Sequence, residues 1–390
     1  MSRCALPGAL SNVPPTILKL VLLMKTKIKL VDLKRQYLSI KKEIDKAIQN
    51  VLNDSAFSDG KYVEDFEKHF AKYIGTKYAV AVNNGTSALH LAMIVLGVGK
   101  GDEVIIPANT FVATAWAVSY VGATPVFVDC DPKTWQIEPK KVEKVITRKT
   151  KAIIGVHLYG QPFDVDAVKK IAKKHKLFLV EDCAQAHGTL YKNKKAGNFG
   201  DLACFSFYPS KNLGSYGEGG AVVTNNSSYA KRLQLLKNQG SLKKYHHDEI
   251  GYNMRMEGFQ GAILDVKLKH LDRWNKRKQR VADMYFKGIK NPSVVSQYQP
   301  EWTKSVYYLY VITVKNRDKF IKFLLKNEIE TGIHYPIPCH LQKAYKFLGY
   351  KKGDFPASEY LANHCVSLPI YPELTDSEVK KIIKVINNYY

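Results

Sequence analysis

Hydrophobic positions along this chain recur in two rhythms. Ile40, Ile44, Ile48 and Val51 fall on one face at helical spacing, which predicts an amphipathic helix over 40–53. Leu89, Met93 and Leu96 mark a second helix that starts near Thr86. Shorter apolar runs follow at 104–106, 126–128, 153–156, 178–180, 203–207 and 221–223. These are too brief for helices and read as strands. Val165, Val168, Ile171 and Ala172 space a helix between two of them. Strands alternating with helices predict an α/β fold with a mostly parallel sheet. The last two runs lie close together, so one edge is antiparallel or the connection is a loop.

From about Glu257 to Ile289 the pattern reads as one long helix. Its apolar stripe is Leu264, Leu268, Leu271 and Trp274. Nine Lys or Arg between Val266 and Lys290 stand against Asp272 and Asp283, which reads as a solvated basic face rather than a nucleic-acid surface. Beyond Pro292 the pattern changes: a strand over 307–314, a helix over 319–325, an extended piece over 331–335 and a closing helix over 376–386. The expected organisation is a loose N-terminal extension over 1–24, a large domain with a long connecting helix over 25–290, and a smaller C-terminal α+β domain over 291–390. The extension carries no acidic residue and lacks the apolar core and cleavage site of a secretory signal.

Composition narrows the class. The 390 residues are 45% hydrophobic and 24% charged, a globular balance. No run approaches the roughly 18 apolar residues of a membrane helix; the best, 17–24, is interrupted by Lys19. Lys and Arg number 59 against 35 Asp and Glu, a formal charge of +24. That suits an anionic partner such as nucleic acid, anionic lipid or a phosphorylated small molecule. The excess is spread along the chain and mostly Lys, which favours a lysine-rich surface over a nucleic-acid groove. The cysteines, Cys4, Cys130, Cys183, Cys204, Cys339 and Cys365, form no C-x-x-C and imply no disulfide framework. A reducing compartment follows, hence a cytoplasmic location.

Ligands of open α/β sheets gather at the carboxyl ends of the strands. The P-loop, dinucleotide, zincin and nucleophile-elbow signatures are all missing there. What stands there instead is Glu181-Asp182 after the run at 178–180, with Gln185 and His187 on the same turn. Asn83-Asn84-Gly85-Thr86-Ser87 opens the Leu89 helix, as a plain N-cap or as an anion site. Ser206 to Gly214 follows the run at 203–207 and carries Lys211 among aromatic residues. A lysine there is surface charge or a desolvated nucleophile. Together, an anion cradle, a carboxylate and a lysine on strand ends fit pyridoxal phosphate. That cofactor needs an amine for its aldehyde, an anion for its ring nitrogen and donors for its phosphate.

Four segments carry a family resemblance: Asn84 to Leu89, Glu181-Asp182-Cys183-Ala184-Gln185-Ala186-His187-Gly188, Ser206 to Gly220, and Gly251-Tyr252-Asn253-Met254-Arg255. Each is weak alone; together they are specific. From about Ile28 to the C-terminus the chain resembles the DegT/DnrJ/EryC1/StrS sugar aminotransferases, which have the type I aminotransferase fold. The resemblance implies that Lys211 bonds the cofactor aldehyde and later moves protons. It implies that Asp182 holds the ring nitrogen, that Gln185 bonds the ring oxygen, and that Thr86, Ser87 and Ser206 bind phosphate. Phe111 sits where the family stacks an aromatic ring. Asn253 sits where the family reaches the partner subunit's phosphate across a homodimer; the bland reading of Asn253 is a cap on the next helix. Arg255, His334 and Tyr335 are assigned to substrate. Lys237-Asn238-Gln239-Gly240 stands where the family has Arg-Asn-His/Tyr-Gly.

The implied reaction takes the amino group of L-glutamate, leaving 2-oxoglutarate, to a keto sugar carried on dTDP or UDP. No nucleic acid, membrane or metal is implied. The segment 332–342 resembles members acting at C3 of the sugar; amination at C4 is the alternative. A metal reading of His334, Cys339 and His340 lacks a fourth ligand at suitable spacing. A sugar dehydratase of the same fold would carry histidine in place of Lys211. A regulatory or nucleic-acid-binding protein that kept the fold is the rival from outside the enzymes.

Overall fold

The computed structural model describes residues 28–390, so the extension expected over 1–24 lies outside the described residues. The main sheet has seven strands: β1 (Tyr78–Val82), β2 (Glu103–Pro107), β3 (Thr124–Val128), β4 (Thr150–Val156), β5 (Phe178–Asp182), β6 (Leu202–Ser206) and β7 (Gly220–Thr224). Their spatial order is β1-β7-β6-β5-β4-β2-β3. β2 through β6 pair in parallel, and β7 runs antiparallel to both neighbours. The antiparallel strand therefore lies one place in from the edge. The edge strand β1 is absent from the sequence pattern because its Ala79 and Ala81 carry little strand preference.

Side chains alternate across each strand, so each strand feeds two cores. One face carries Val82, Ile106, Ile154, Val180, Cys204 and Val222. It packs against the helices Gly85–Val95, Ala113–Tyr120 and Ser227–Lys237. The other face carries Ile105, Ile153 and Leu179 against the helix Val165–His175, and Phe205 and Val223 against Phe66, Phe70 and Leu264. Each fully buried Leu or Phe contributes about 1.5–3 kcal/mol, so these two cores dominate the stability of the sheet.

The stretch expected as one long helix is two, Gly258–Leu268 and Leu271–Gly288. At the join, the Lys269 and His270 amides donate three residues back, to the Val266 and Lys267 carbonyls, which tightens and ends the first helix. The expected solvated basic face also needs correction. Lys267 and Lys278 fall on the apolar stripe and are buried, at 0% and 4% exposure. Arg277 and Arg280 both pair with Asp376 at 2.6 Å. Helical spacing explains the first point: 264 and 267 share one side of the first helix, and 271, 274 and 278 share one side of the second.

A second sheet joins β8 (Val294–Ser296), β9 (Tyr310–Val314) and β10 (Cys365–Leu368), all antiparallel. The helices Arg317–Lys326 and Asp376–Asn387 cover it. Its core also takes Val281 and Tyr285 from the Leu271–Gly288 helix, and Ile28. Thr375 and Glu378 cap the last helix reciprocally. The strand expected over 307–314 begins at Tyr310. The piece expected as extended over 331–335 makes one bridge, Gly332 to Ser367.

Candidate active site

The carboxyl ends of β5 and β6 lie side by side and point two chemistries at one place. Glu181 and Asp182 are adjacent, so they face opposite sides of the sheet. Glu181 faces the core beneath the 196–200 loop. It accepts from His157 Nε2 at 3.0 Å and from the amides of Gly197, Phe199 and Gly200 at 2.7–2.8 Å. Burial would raise its carboxyl, but these donors win and hold it below its ordinary value. Asp182 faces the helices. Its Oδ2 accepts from the Thr114 hydroxyl at 2.9 Å and its Oδ1 from the Ala184 amide at 3.1 Å. With fewer donors, burial prevails and raises the Asp182 carboxyl, against the pull of those two bonds and of the Lys211 charge.

Lys211 stands in the loop that leaves β6. Its amide bonds the Tyr208 carbonyl at 2.9 Å, and the Ser215 amide returns to Phe207 at 2.8 Å, closing the loop. The Lys211 ammonium lies 4.2 Å from the centre of the Tyr308 ring, a cation–π seat. The start of the helix Gly85–Val95 presses on the end of β6: a Cβ at Gly85 would come within 2.5 Å of the Ser206 Cβ. A Cβ at Gly220 would likewise meet the Asn84 carbonyl at 2.4 Å. Only glycines allow this approach, which brings the helix start that carries Thr86 and Ser87 against the end of β6. Asn84 Oδ1 accepts from the Ser87 amide at 2.8 Å as N-cap, so the plain cap reading of this motif also holds.

Gln185 accepts from the Tyr159 amide at 2.6 Å and donates to the Tyr335 hydroxyl at 3.2 Å. The Tyr335 ring lies 5.4 Å from that of Phe111, which is 47% exposed. His334 bonds the Ser367 hydroxyl at 2.8 Å, and burial followed by the Lys211 charge pushes its imidazole down to about 4. His334 lies close enough to Lys211, and Tyr335 to Asp182, for each pair to interact electrostatically. Cys339 bonds the Thr110 carbonyl and His340 bonds Glu359, so the trio with His334 is drawn apart.

Asn253 and Arg255 lie elsewhere. Asn253 is exposed and bridges Asn238 through its backbone, and Arg255 donates to Asn238 Oδ1 at 2.8 Å. The Met254 carbonyl takes the Asn83 amide at 3.0 Å, so this segment runs beside the helix start. No described hydrogen bond joins Asn253 or Arg255 to Asp182 or Lys211. The cap of the next helix is Glu257, which removes the capping role for Asn253. His187 is fully buried against Phe205 and Phe207, on the core side. In the 237–240 loop, Lys237 is buried and pairs with Glu67 at 3.2 Å and Asp59 at 3.4 Å.

Thr114 and Tyr308 are functional neighbours that sequence patterns do not single out. Thr114 had a faint signal, the Thr110/Thr114 spacing at a helix start, where the two hydroxyls meet at 2.9 Å. Tyr308 had none, since it reaches Lys211 across about a hundred residues of chain. The set suits pyridoxal phosphate by its donors: a helix start with hydroxyls in a glycine-lined cradle, a buried carboxylate with acceptor capacity left, and an amine seated on a ring.

Comparison with known proteins agrees. The model of the DegT/DnrJ/EryC1/StrS aminotransferase family matches residues 38–387. The "Pleiotropic regulatory protein" of Geobacillus stearothermophilus is 41% identical, covering 93% of this chain and 98% of its own. The "dTDP-3-amino-3,6-dideoxy-alpha-D-galactopyranose transaminase" of Aneurinibacillus thermoaerophilus is 44% identical, covering 92% and 98%. The crystal structure of S. venezuelae DesV, described as a complex with a ketimine intermediate, superposes with a TM-score of 0.91 at 41% identity, covering 93% and 98%. The PLP-form of the putative sugar aminotransferase Spr1654 from Streptococcus pneumoniae gives 0.84 at 28% identity, covering 89% and 95%. The chain therefore belongs to the DegT/DnrJ/EryC1/StrS aminotransferase family.

Proposed function

We propose that this protein is a pyridoxal-phosphate-dependent aminotransferase that aminates a nucleotide-linked keto sugar. The single observation that carries the reading is the pairing at neighbouring strand ends of a buried, under-bonded Asp182 with Lys211 on the Tyr308 ring. Bound there, pyridoxal phosphate supplies an electron sink for the carbon that loses its proton. Lys211 Nζ would bond the cofactor aldehyde and then carry the proton to and from the reacting carbon. Asp182, ionised and shielded from water, would keep the ring nitrogen protonated. Thr114 holds Asp182 in place from the helix Ala113–Tyr120. Gln185 Nε2 has a second N–H to offer the ring oxygen beyond the one given to Tyr335. Thr86, Ser87 and Ser206 would bind the phosphate, with Phe111 against the ring.

His334 and Tyr335 would face the sugar, and Arg255 the anionic nucleotide. L-Glutamate is the proposed donor. The nucleotide is dTDP or UDP and the position is C3, as the names of several relatives of this chain suggest. A homodimer would bring Asn253 of each subunit to the other's phosphate, which suits its exposure and its distance in sequence from the other phosphate ligands. The free buried cysteines suit a cytoplasmic location; among the described residues no helix is long and apolar enough to cross a membrane.

The name of the Geobacillus relative favours a second, regulatory reading. Incubating the purified protein with L-glutamate and a panel of dTDP- and UDP-linked keto sugars tests both. Formation of 2-oxoglutarate with an amino sugar supports the enzyme. Bound cofactor without turnover on any sugar of the panel overturns the substrate class and leaves the regulatory reading.

A further inference from the structure

Behind the Lys211 loop the chain buries a positive charge that no described carboxylate pairs. Lys278 lies on the apolar side of the helix Leu271–Gly288, between Trp274 and Val281, and is 4% exposed. Its amine donates to Asn212 Oδ1 at 2.7 Å and to the Tyr308 carbonyl at 3.1 Å, both neutral acceptors. Burial pushes the group down to about 7, with Glu373 opposing and Lys211 adding to the effect. Removing an ammonium from water without a counterion is costly, and a leucine or methionine would pack this stripe without that cost. The two acceptors show what the cost secures.

Asn212 follows Lys211 in the chain. Its Nδ2 donates to Asn275 Oδ1 at 2.8 Å and to the Val306 carbonyl at 2.9 Å, and Asn275 in turn donates to the His187 carbonyl at 2.8 Å. Tyr308 carries the ring that seats the Lys211 ammonium, and its hydroxyl lies 3.3 Å from Ser210 Oγ. Lys278 thus grips Lys211 from two sides: through its backbone neighbour and through the residue beneath its ammonium. A neutral amine still donates two hydrogen bonds, so the grip survives deprotonation.

We propose that Lys278 is a positioning residue for Lys211, aligning its amine for capture of the cofactor aldehyde; this rests on the reading that Lys211 bears the cofactor. The experiment uses cofactor-free wild-type protein and the variants Lys278→Met, Lys278→Arg and Asn212→Leu. Pyridoxal 5′-phosphate is added, borohydride traps the bond at timed intervals, and mass spectrometry locates and counts the label, normalised to folded protein. Wild-type label on any residue other than Lys211 overturns the functional reading and this inference together. With wild-type label on Lys211, the expected result is a loss of about tenfold or more in labelling rate for Lys278→Met, since small misplacements of a reacting group are expensive. Lys278→Arg, which keeps charge and donors, recovers most of the rate. Wild-type labelling by folded Lys278→Met, or an Arg variant no faster than Met, overturns the positioning role and leaves that of Lys211 standing. Should Lys278→Met not fold, Asn212→Leu decides: slow labelling supports the grip and a wild-type rate overturns it.

Discussion

Glu181 and Asp182 are consecutive, both acidic and both buried, yet the two sides of β5 treat them oppositely. On the Glu181 side four donors saturate the carboxylate and tie the 196–200 loop to the sheet. On the Asp182 side two donors leave acceptor capacity within reach of the Lys211 charge. The buried lysines repeat the contrast. Lys237 is answered by Glu67 and Asp59. Lys278 has no described ion pair; it donates to neutral oxygens beside Lys211, with Glu373 acting from farther off. A buried charge with its partners complete serves the fold; one left short marks the place where chemistry is expected.

Breaking the functional side should cost activity and spare the fold. Lys211→Ala should lower glutamate-dependent turnover by at least about 10³-fold, since the neighbouring Lys278 amine is held by Asn212 and the Tyr308 carbonyl. It should also abolish borohydride-trapped label at this position. Asp182→Asn should keep bound cofactor, followed by its visible absorbance, and lose about 10²-fold in kcat, because an amide cannot hold a ring nitrogen protonated. A near-normal rate would assign that task to another group.

Breaking the structural side should do the reverse. Glu181→Gln should lower the unfolding free energy by about 3 kcal/mol, the usual cost of removing one partner of a buried pair. Turnover per folded molecule should change little. The pH dependence follows from the depressed Glu181 carboxyl. Its stabilisation is complete above the unfolded pKa of about 4.3 and is lost as pH falls through the lower folded value. Urea midpoints across the acid range should fall for the wild type and flatten for the variant. A Gln variant with native stability and no activity would collapse the distinction between the two acids.

The proposed role of Asn253 across a dimer can be tested by complementation. Mixing inactive Lys211→Ala with an impaired Asn253→Ala variant should return activity as subunits exchange. Heterodimers with one intact site would give up to about a quarter of the wild-type rate. Exchange without recovery, or an active monomer by light scattering, ends the shared-site proposal.

A further contrast belongs to the lysines without a described ion pair. Lys267 and Lys278 are pushed down to about 7 by burial. The unfolded chain therefore holds more protons between there and its own value of about 10.4, and stability should rise with pH from 7 upward. Urea midpoints at neutral and mildly alkaline pH should show that rise, and Lys267→Met should remove part of it.

Local patterns made most of the sheet readable. The runs around Ile105, Ile153 and Leu179 are strands, and the stripes of Ile44 and Val168 are helices. Periodicity works there because each element shows a stable face to one core. It failed at Lys267 and Lys278, where charge type pointed to solvent while position pointed inward. It failed at the join of the two helices, where two tight turns, and no proline or glycine, make the break. It could not split the roles of Glu181 and Asp182, because the donors that separate them come from His157, the 197–200 loop and Thr114.

The alternation of strands and helices, the family, and the residue types the chemistry needs (Lys211, Asp182 and the Gly85-Thr86-Ser87 turn) are legible in the amino-acid order alone. All of these are encoded in contiguous segments, where spacing and side-chain type act directly on the local backbone. Which buried charges are satisfied, which ring lies under Lys211, and the pairing of Asn253 with Asn238 at the surface come from the folded molecule. Those outcomes depend on partners far apart in the chain, and burial sets their energies through the low dielectric around them. No local pattern carries that information, because desolvation is a property of the packed molecule and not of any segment.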